Sequence, residues 1–353
     1  MRIAIMGAGS LGTILGAFIA KSGRNVTLVD PYKDHVDALN RDGAKVIGEV
    51  EFIQPVKACL PSEMNGIYDV VFYMTKAPSN KAALPQLLPH INENSVVITL
   101  QNGIPEEAVA SYVGKERTMG GTVGWGAVFQ GPGVSKLTSK IEIVEKHAFE
   151  IGELDDVVKE RTYKVKEILE CMGHTSILPD LAGARWSKLF LNAVYSGMSV
   201  AIGGSYGDVE DNEIAFKVST FVGNEVVKAA RLNGVRLIDD FQGVDLKELE
   251  FNNEEERQKA IEICHKLLKP QRALTASMLN DLRRGIWQTE IDEICGSVSR
   301  AGKKVGFPTP FTDKIIELVY RAQNTQTLPT IENVKEFEPL LENITYYNTA
   351  EAY

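Results

Sequence analysis

Three glycines at the spacing G-x-G-x-x-G, Gly7, Gly9 and Gly12, stand between an apolar run and an amphipathic stretch. Residues of this type and spacing hold a pyrophosphate. Gly7 permits a tight turn, Gly9 lets the backbone approach the phosphates, and Gly12 lets helix and strand pack closely. Ser10 and Leu11 then open a helix whose free N–H groups and positive dipole face an anion. Asp30 ends the following apolar run, Val26 to Val29, where an acid accepts hydrogen bonds from ribose hydroxyls. A 2′-phosphate beside it would place like charges together, at a cost of about 3 kcal/mol for charges about 5 Å apart at an effective dielectric near 20. Lys33 is close enough in sequence to offset part of this. The pattern favours NAD and leaves NADP possible. The plainer readings are a glycine turn in some other α/β protein and Asp30 as a turn former before Pro31.

Further polar residues stand out by position. Lys76 follows the apolar run Asp69 to Met74, and Asn102 follows Ser95 to Leu100. Both therefore fall at strand ends on the same sheet edge as the glycine loop, where open α/β sheets bind ligands. Lys188 and Asn192 are four apart, so they share one helical face. Leu189, Phe190 and Leu191 surround them, which separates the pair from an ordinary solvated face. Thr289 followed by Glu290 and an apolar run marks a helix start, with Glu290 in the first turn. Each has a bland reading: a surface lysine, a charge on a helix dipole, an Asn-Gly turn at Asn102-Gly103.

The elements that must position these residues alternate strand and helix up to about residue 180, which predicts a parallel sheet with intervening helices. Helical or loop segments are expected between Asp30 and Asp69. Glycines cluster from Met119 to Ile151, with short strands expected at Val134–Thr138 and Lys140–Val144, finishing the sheet with antiparallel neighbours. A helix over Val157–Met172 and an edge strand at Thr175–Leu178 close the domain. After Leu181 the pattern is helical: 184–198, 211–233, 254–268, 273–282, 290–302 and 312–324. The expected organisation is an α/β Rossmann-type dinucleotide-binding domain, residues 1–180, followed by an all-helical substrate and dimerisation domain, residues 181–353. A helical domain covering the strand ends would make a cleft for substrate. The acidic stretch 239–256 reads as a surface excursion, and the tail from Thr325 as either a last helix or a loose segment.

The formal net charge of -9 argues against nucleic acid as a partner. Apolar residues at 44% and charged residues at 24% are ordinary for a globular protein. Four scattered cysteines form no C-x-x-C and read as thiols in a reducing cytoplasm. The five histidines do not fall at metal-ligand spacing, so no metal is expected. The N-terminal apolar run reads as the first strand, so no secretory signal is expected, and no apolar stretch is long enough to span a bilayer.

Taken in order, the glycine loop, Lys76-Ala77, Gln101-Asn102-Gly103, His147 to Glu153, Trp186 to Asn192 and Thr289-Glu290-Ile-Asp292 resemble the ketopantoate reductase family, the 2-dehydropantoate 2-reductases. The resemblance covers nearly the whole chain and implies reduction of a 2-keto acid with a nicotinamide cofactor, in a cytoplasmic homodimer. By the same resemblance Lys188 is the catalytic lysine, and Glu290 is the acid that hydrogen-bonds the substrate and helps set the lysine. Asn102 and Asn192 position substrate and cofactor, Ser277 meets the substrate carboxylate, and Lys76 lies near the nicotinamide side. The chemistry requires such groups. Hydride delivered to C2 of a 2-keto acid builds charge on the carbonyl oxygen, which a protonated lysine neutralises and protonates.

Three features depart from the family pattern. Ser196 stands where many members carry a second substrate asparagine. The segment between Ser277 and Glu290 is one residue longer, with Ile286-Trp287-Gln288 where a basic residue is common. Asp30 stands where NADP-using relatives carry a basic residue. These keep the reaction and loosen the substrate. Ketopantoate is favoured, and an NAD-dependent D-2-hydroxyacid dehydrogenase acting on other branched or aromatic keto acids is the alternative. An opine-type dehydrogenase and a catalytically inactive dinucleotide-binding sensor are the remaining readings.

Overall fold

The computed structural model describes residues 1–344 and Tyr346. It divides into two compact units, Met1–Gln101 with Pro105–Leu181, and Asn102–Ile104 with Ala182–Tyr353. In the first unit the chain runs β1 (Ile3–Met6), α1 (Ser10–Lys21), β2 (Val26–Val29), α2 (Lys33–Asp42), β3 (Ala44–Gly48), β4 (Phe52–Gln54), β5 (Lys57–Cys59), β6 (Val70–Tyr73), α3 (Asn80–Leu87), β7 (Val96–Thr99) and α4 (Glu106–Val113). It continues through β8 (Thr118–Val123), β9 (Ala127–Gly131), β10 (Val134–Leu137), α5 (Ile141–Lys146), β11 (Phe149–Glu153), α6 (Glu160–Leu169) and β12 (Thr175–Ile177).

The main sheet has the order β12-β11-β8-β7-β6-β1-β2-β5. Pairing is parallel except between β8 and β11. β1 lies between β2 and β6, so successive crossovers leave it in opposite directions. Its carboxyl end is a topological switch point, the place where such sheets bind ligands. Ile3 through Met6 are all buried, as a central parallel strand covered on both faces demands.

A second sheet, order β4-β3-β10-β9, was not anticipated. It packs over α1, which is therefore covered on two sides rather than one. Ile14, Leu15 and Ile19 share one core with Leu28 of β2, Val46 of β3 and Leu137 of β10, and Phe18 meets the edge of Phe52 on β4 at 5.1 Å. A Cβ on Gly16 would come within 2.7 Å of Leu28, so the helix lies close on its strand. The expectation that the glycine-rich segment finishes the main sheet is thus corrected in part. β8 and β11 join it, while β9 and β10 leave for the second sheet.

Lys140–Val144 is helix, not strand. The alternation of Ile141 and Ile143 suggested a strand, but Ile143 is 49% exposed while Val144, three residues after Ile141, is buried. That is helical spacing.

The second unit contains α7 (Leu181–Leu191, whose first residue falls in unit one), α8 (Gly197–Ile202), α9 (Tyr206–Asp211), α10 (Glu213–Leu232), α11 (Glu254–Leu268), α12 (Ser277–Arg283), α13 (Ile291–Lys304), α14 (Pro310–Thr325) and α15 (Glu338–Glu342). Between α7 and α8, residues Asn192–Ser196 form a π-helical turn, so the helix expected over 184–198 is not uniform. The acidic stretch is not a surface excursion. Leu246, Leu249 and Phe251 are fully buried in the helical core, and the Lys228 ammonium donates to the Phe251 carbonyl at 2.9 Å. The tail packs too: Val334 and Phe337 are buried in the same core. Its last part, Thr345 and residues 347–353, lies outside the described residues. Among the described residues no helix is long and apolar enough to cross a membrane, and the four cysteines are unpaired thiols.

Candidate active site

In the first unit the glycine loop follows β1. Gly7 takes φ +97°, and a Cβ there would lie 2.6 Å from the Thr75 amide nitrogen, so the loop touches the chain leaving β6. A Cβ on Gly12 would run into the Gly7 carbonyl. Gly9 differs: a Cβ there would meet nothing within 4 Å. Two glycines are required by packing and the third faces open space, the arrangement a ligand-approaching backbone needs. Gly9 also caps α1, and among the described residues the helix start carries no side-chain cap hydrogen bond. Such a terminus attracts anions. The residues present fit a dinucleotide pyrophosphate.

Asp30 is half-buried at the end of β2, and burial raises its carboxyl above the usual range against the lowering effect of the Tyr32 amide. That amide donates to Oδ1 at 2.9 Å. Asp30 is therefore a turn former as well as a candidate ribose ligand. Lys33 donates to Asp37 at 2.7 Å on the exposed face of α2, an ion pair that draws its charge toward Asp37.

Lys76 is exposed and directly precedes the 3₁₀ turn Ala77–Ser79. The loop carrying it is pinned by Gln101, whose Nε2 donates to the Thr75 carbonyl at 2.8 Å and to Asn80 Oδ1 at 2.7 Å. Gln101 thus couples the strand end at β7 to the one at β6.

In the second unit the Asn102 side-chain amide donates to Glu290 Oε2 at 3.3 Å, across 188 positions of sequence. Gly103 takes φ +80°, and a Cβ on it would strike the Glu293 carbonyl. The Asn-Gly turn is therefore pressed against the start of α13. Glu290 is 8% exposed. It sits at the N-cap of α13, one position before the first turn expected for it, and its carbonyl accepts from the Glu293 and Ile294 amides at 3.1 Å each. Thr289 is held by Gln323 of α14, whose Oε1 accepts the Thr289 amide at 3.0 Å.

Lys188 and Asn192 are both half-buried. Lys188 lies in the last turn of α7, and Asn192 opens the π-helical turn. Such turns widen the backbone spacing and recur at functional sites. The turn packs against α13: Cys295 Sγ contacts the Ala193 carbonyl at 3.8 Å, and a Cβ on Gly197 would come within 2.8 Å of the same sulfur. Ser196 is buried, its hydroxyl 2.6 Å from that of Tyr206. Ser277 is exposed at the first position of α12. Trp287 is half-buried against the helical core, and Trp125 is buried in the core of the first unit.

The sequence reading missed Glu293. One of its carboxylate oxygens is buried without a hydrogen-bond partner, and burial, reinforced by the charges of Asp292 and Glu290, raises its carboxyl. The available signal was its place one helical turn beyond Glu290.

Two family models match the chain, the ketopantoate reductase PanE/ApbA model over residues 3–155 and its C-terminal counterpart over residues 180–323. A 2-dehydropantoate 2-reductase of Lactococcus lactis is 29% identical over 91% of this chain and 97% of its own. One from Pyrococcus horikoshii is 28% identical over 90% and 96%. Among solved structures, a D-mandelate dehydrogenase ternary structure with NADH and anilino(oxo)acetate superposes with a TM-score of 0.78 at 26% identity, covering 92% of this chain and 99% of that one. A PanE/ApbA family ketopantoate reductase from Ralstonia eutropha shares the fold, with a TM-score of 0.76 at 24% identity over 92% and 99%. With a sheet built for a dinucleotide followed by a helical unit, and both family models matched in order, the chain belongs to the ketopantoate reductase family of NAD(P)-dependent oxidoreductases.

Proposed function

We propose that this enzyme reduces a branched 2-keto acid, ketopantoate in the first place, to the 2-hydroxy acid, with Lys188 as the proton donor. The observation that carries the reading is the Asn102–Glu290 hydrogen bond. It joins two residues that the family resemblance assigns to one site, inside a unit whose π-helical turn begins four residues after Lys188.

Gly7, Gly9, Ser10, Leu11 and Gly12 would hold the pyrophosphate, Asp30 the ribose, and Lys76 and Asn102 the nicotinamide side. When bound, the nicotinamide supplies the hydride. As the C2–O π bond opens, the carbonyl oxygen takes the displaced electron pair, and the Lys188 ammonium stabilises that oxygen and transfers a proton to it. The lysine is left as a neutral amine that regains its proton from solvent. Glu290 orients substrate and lysine, with its own carboxylate fixed by the Asn102 amide. Asn192, Ser196 with Tyr206, and Ser277 are assigned to the substrate. General-acid help of this kind is worth about 10²- to 10⁴-fold.

NAD is the proposed cofactor over NADP. The half-buried Asp30 carboxyl and the pairing of Lys33 with Asp37 both support it. A cytoplasmic homodimer formed through the helical unit belongs to the same reading and is supported by family resemblance.

A second reading, reduction of an aromatic or bulkier branched 2-keto acid, is favoured by the half-buried Trp287 three residues before Glu290 and by a hydroxyl at Ser196 where an amide would grip ketopantoate. The test is oxidation of NADH and NADPH with ketopantoate, 2-ketoisovalerate and benzoylformate. The highest kcat/KM is expected with ketopantoate and NADH. A preference for benzoylformate selects the second reading, and no turnover with any of the three rejects both.

A further inference from the structure

His35 occupies the first turn of α2, is 1% exposed, and makes more hydrogen bonds than a core histidine needs. Its Nδ1 accepts the Gly133 amide from the β9–β10 turn at 2.9 Å. A backbone amide only donates, so Nδ1 carries no hydrogen and the single ring hydrogen sits on Nε2. Nε2 then donates to the Ala8 carbonyl at 2.7 Å, with the Thr13 hydroxyl 3.1 Å away. The Thr13 hydroxyl donates to the same carbonyl at 2.6 Å. Phe129 of β9 packs edge-on against the ring at 5.1 Å.

Ala8 is the residue between the first two glycines of the loop. Its carbonyl receives two hydrogens from the protein interior, which fixes the Ala8–Gly9 peptide plane. In a trans peptide the carbonyl and the following N–H point in opposite directions. Holding the Ala8 carbonyl inward therefore aims the Gly9 N–H away from α2 and Thr13. A peptide turned the other way would present the negative end of its dipole to a phosphate.

We propose that His35 is a positioning residue for the cofactor pyrophosphate, acting through the Ala8 carbonyl and tying the second sheet to the glycine loop. This rests on the reading of that loop as the dinucleotide cradle. Thr13 is its partner in the same task.

The test measures dissociation constants of NADH and ADP-ribose for His35→Leu and His35→Gln, alongside kcat at saturating NADH, KM for the keto acid and the melting temperature. Loss of the Nε2 donor is expected to weaken both ligands about tenfold, the worth of one hydrogen bond. The expected kcat and keto-acid KM stay within about twofold, and His35→Gln, which keeps an amide donor of similar reach, recovers most of the affinity. Unchanged affinity in His35→Leu overturns the proposal. So does a parallel loss of affinity, kcat and melting temperature that His35→Gln does not relieve, because that pattern marks a purely structural histidine. If His35→Leu does not fold, Thr13→Val is measured in its place: weakened NADH binding at preserved kcat is expected, and unchanged binding overturns the proposal. Gly9→Ala keeps the two ideas apart. If a methyl group there leaves NADH affinity intact, the cradle reading itself fails; if it weakens NADH while His35→Leu does not, only the role of His35 is lost.

Discussion

Asp30 has one observed role and one proposed for it. One oxygen closes the turn onto the Tyr32 amide, and the half-buried carboxyl at the end of β2 is proposed to meet the ribose. Asp30→Ala is expected to raise the relative kcat/KM for NADPH over NADH by about tenfold, half of the unscreened repulsion estimate. The check is the ratio of the two constants in wild type and variant, and an unchanged ratio removes Asp30 from cofactor selection. Glu290 acts through both backbone and side chain: its carbonyl starts α13 and its carboxylate takes the Asn102 amide. Glu290→Gln keeps the shape and removes the charge. Its kcat is expected to fall about 10²-fold with NADH affinity unchanged, in keeping with the usual size of a missing electrostatic contact. Wild-type turnover would reduce Glu290 to a helix cap. At this scale the sequence was legible wherever a polar residue had a special neighbour. Gly7 and Gly12 could be read because only glycine meets the steric demands seen at Thr75 and at the Gly7 carbonyl, and Gly9, where a Cβ would meet nothing, could be read only from its spacing between them. His35 could not, because a histidine among Val36, Ala38 and Leu39 reads as one more member of the apolar stripe of α2.

One helix start in the second unit is held by a buried carboxylate from another helix. Glu225, buried in α10, accepts the Phe311 and Thr312 amides at 2.9 and 2.8 Å and so caps α14 from another helix. Burial pushes its carboxyl up to about 8, against the lowering effect of those donors. A folded-state value above the unfolded one near 4.5 means the native state binds the proton more tightly. Stability from this group is then fully present below pH of about 4.5 and declines as pH rises toward about 8. Glu225→Gln, which stays neutral, is expected to reduce the fall in melting temperature between pH about 5 and about 8 by about 3 °C or more. An unaltered pH dependence would show that Glu225 is ionised throughout. Long periodic helices such as α10, α11 and α14 were legible within two residues at each end. The π-helical turn was not, since one residue more per turn leaves no mark on apolar periodicity over five residues. The strands β3, β4 and β5 were missed for a different reason. They are partly exposed and carry Lys45, Gln54 and Lys57, so no continuous apolar run marks them as one marks β1, β6 and β7.

For the whole molecule, the legible part was the order of a sheet unit followed by a helical unit, and the illegible part was the second sheet. Glycine-rich stretches carry weak strand signals, and nothing local distinguishes β9 and β10, which cover α1, from strands that extend the main sheet. The two-sided burial of α1 was the trace this sheet left in the sequence, in a helix apolar on more than one face. A homodimer predicts a sedimentation-equilibrium mass twice that of one chain at micromolar concentration, and a single-chain mass would remove the dimer. Dinucleotide binding is proposed for the first unit and proton transfer for Lys188 in the second. Single-turnover oxidation of bound NADH by Lys188→Ala, with the NADH dissociation constant measured on the same sample, tests that separation directly. An unchanged dissociation constant and a hydride-transfer rate lowered about 10²- to 10⁴-fold are expected. A rate equal to that of the wild type would contradict the proposal.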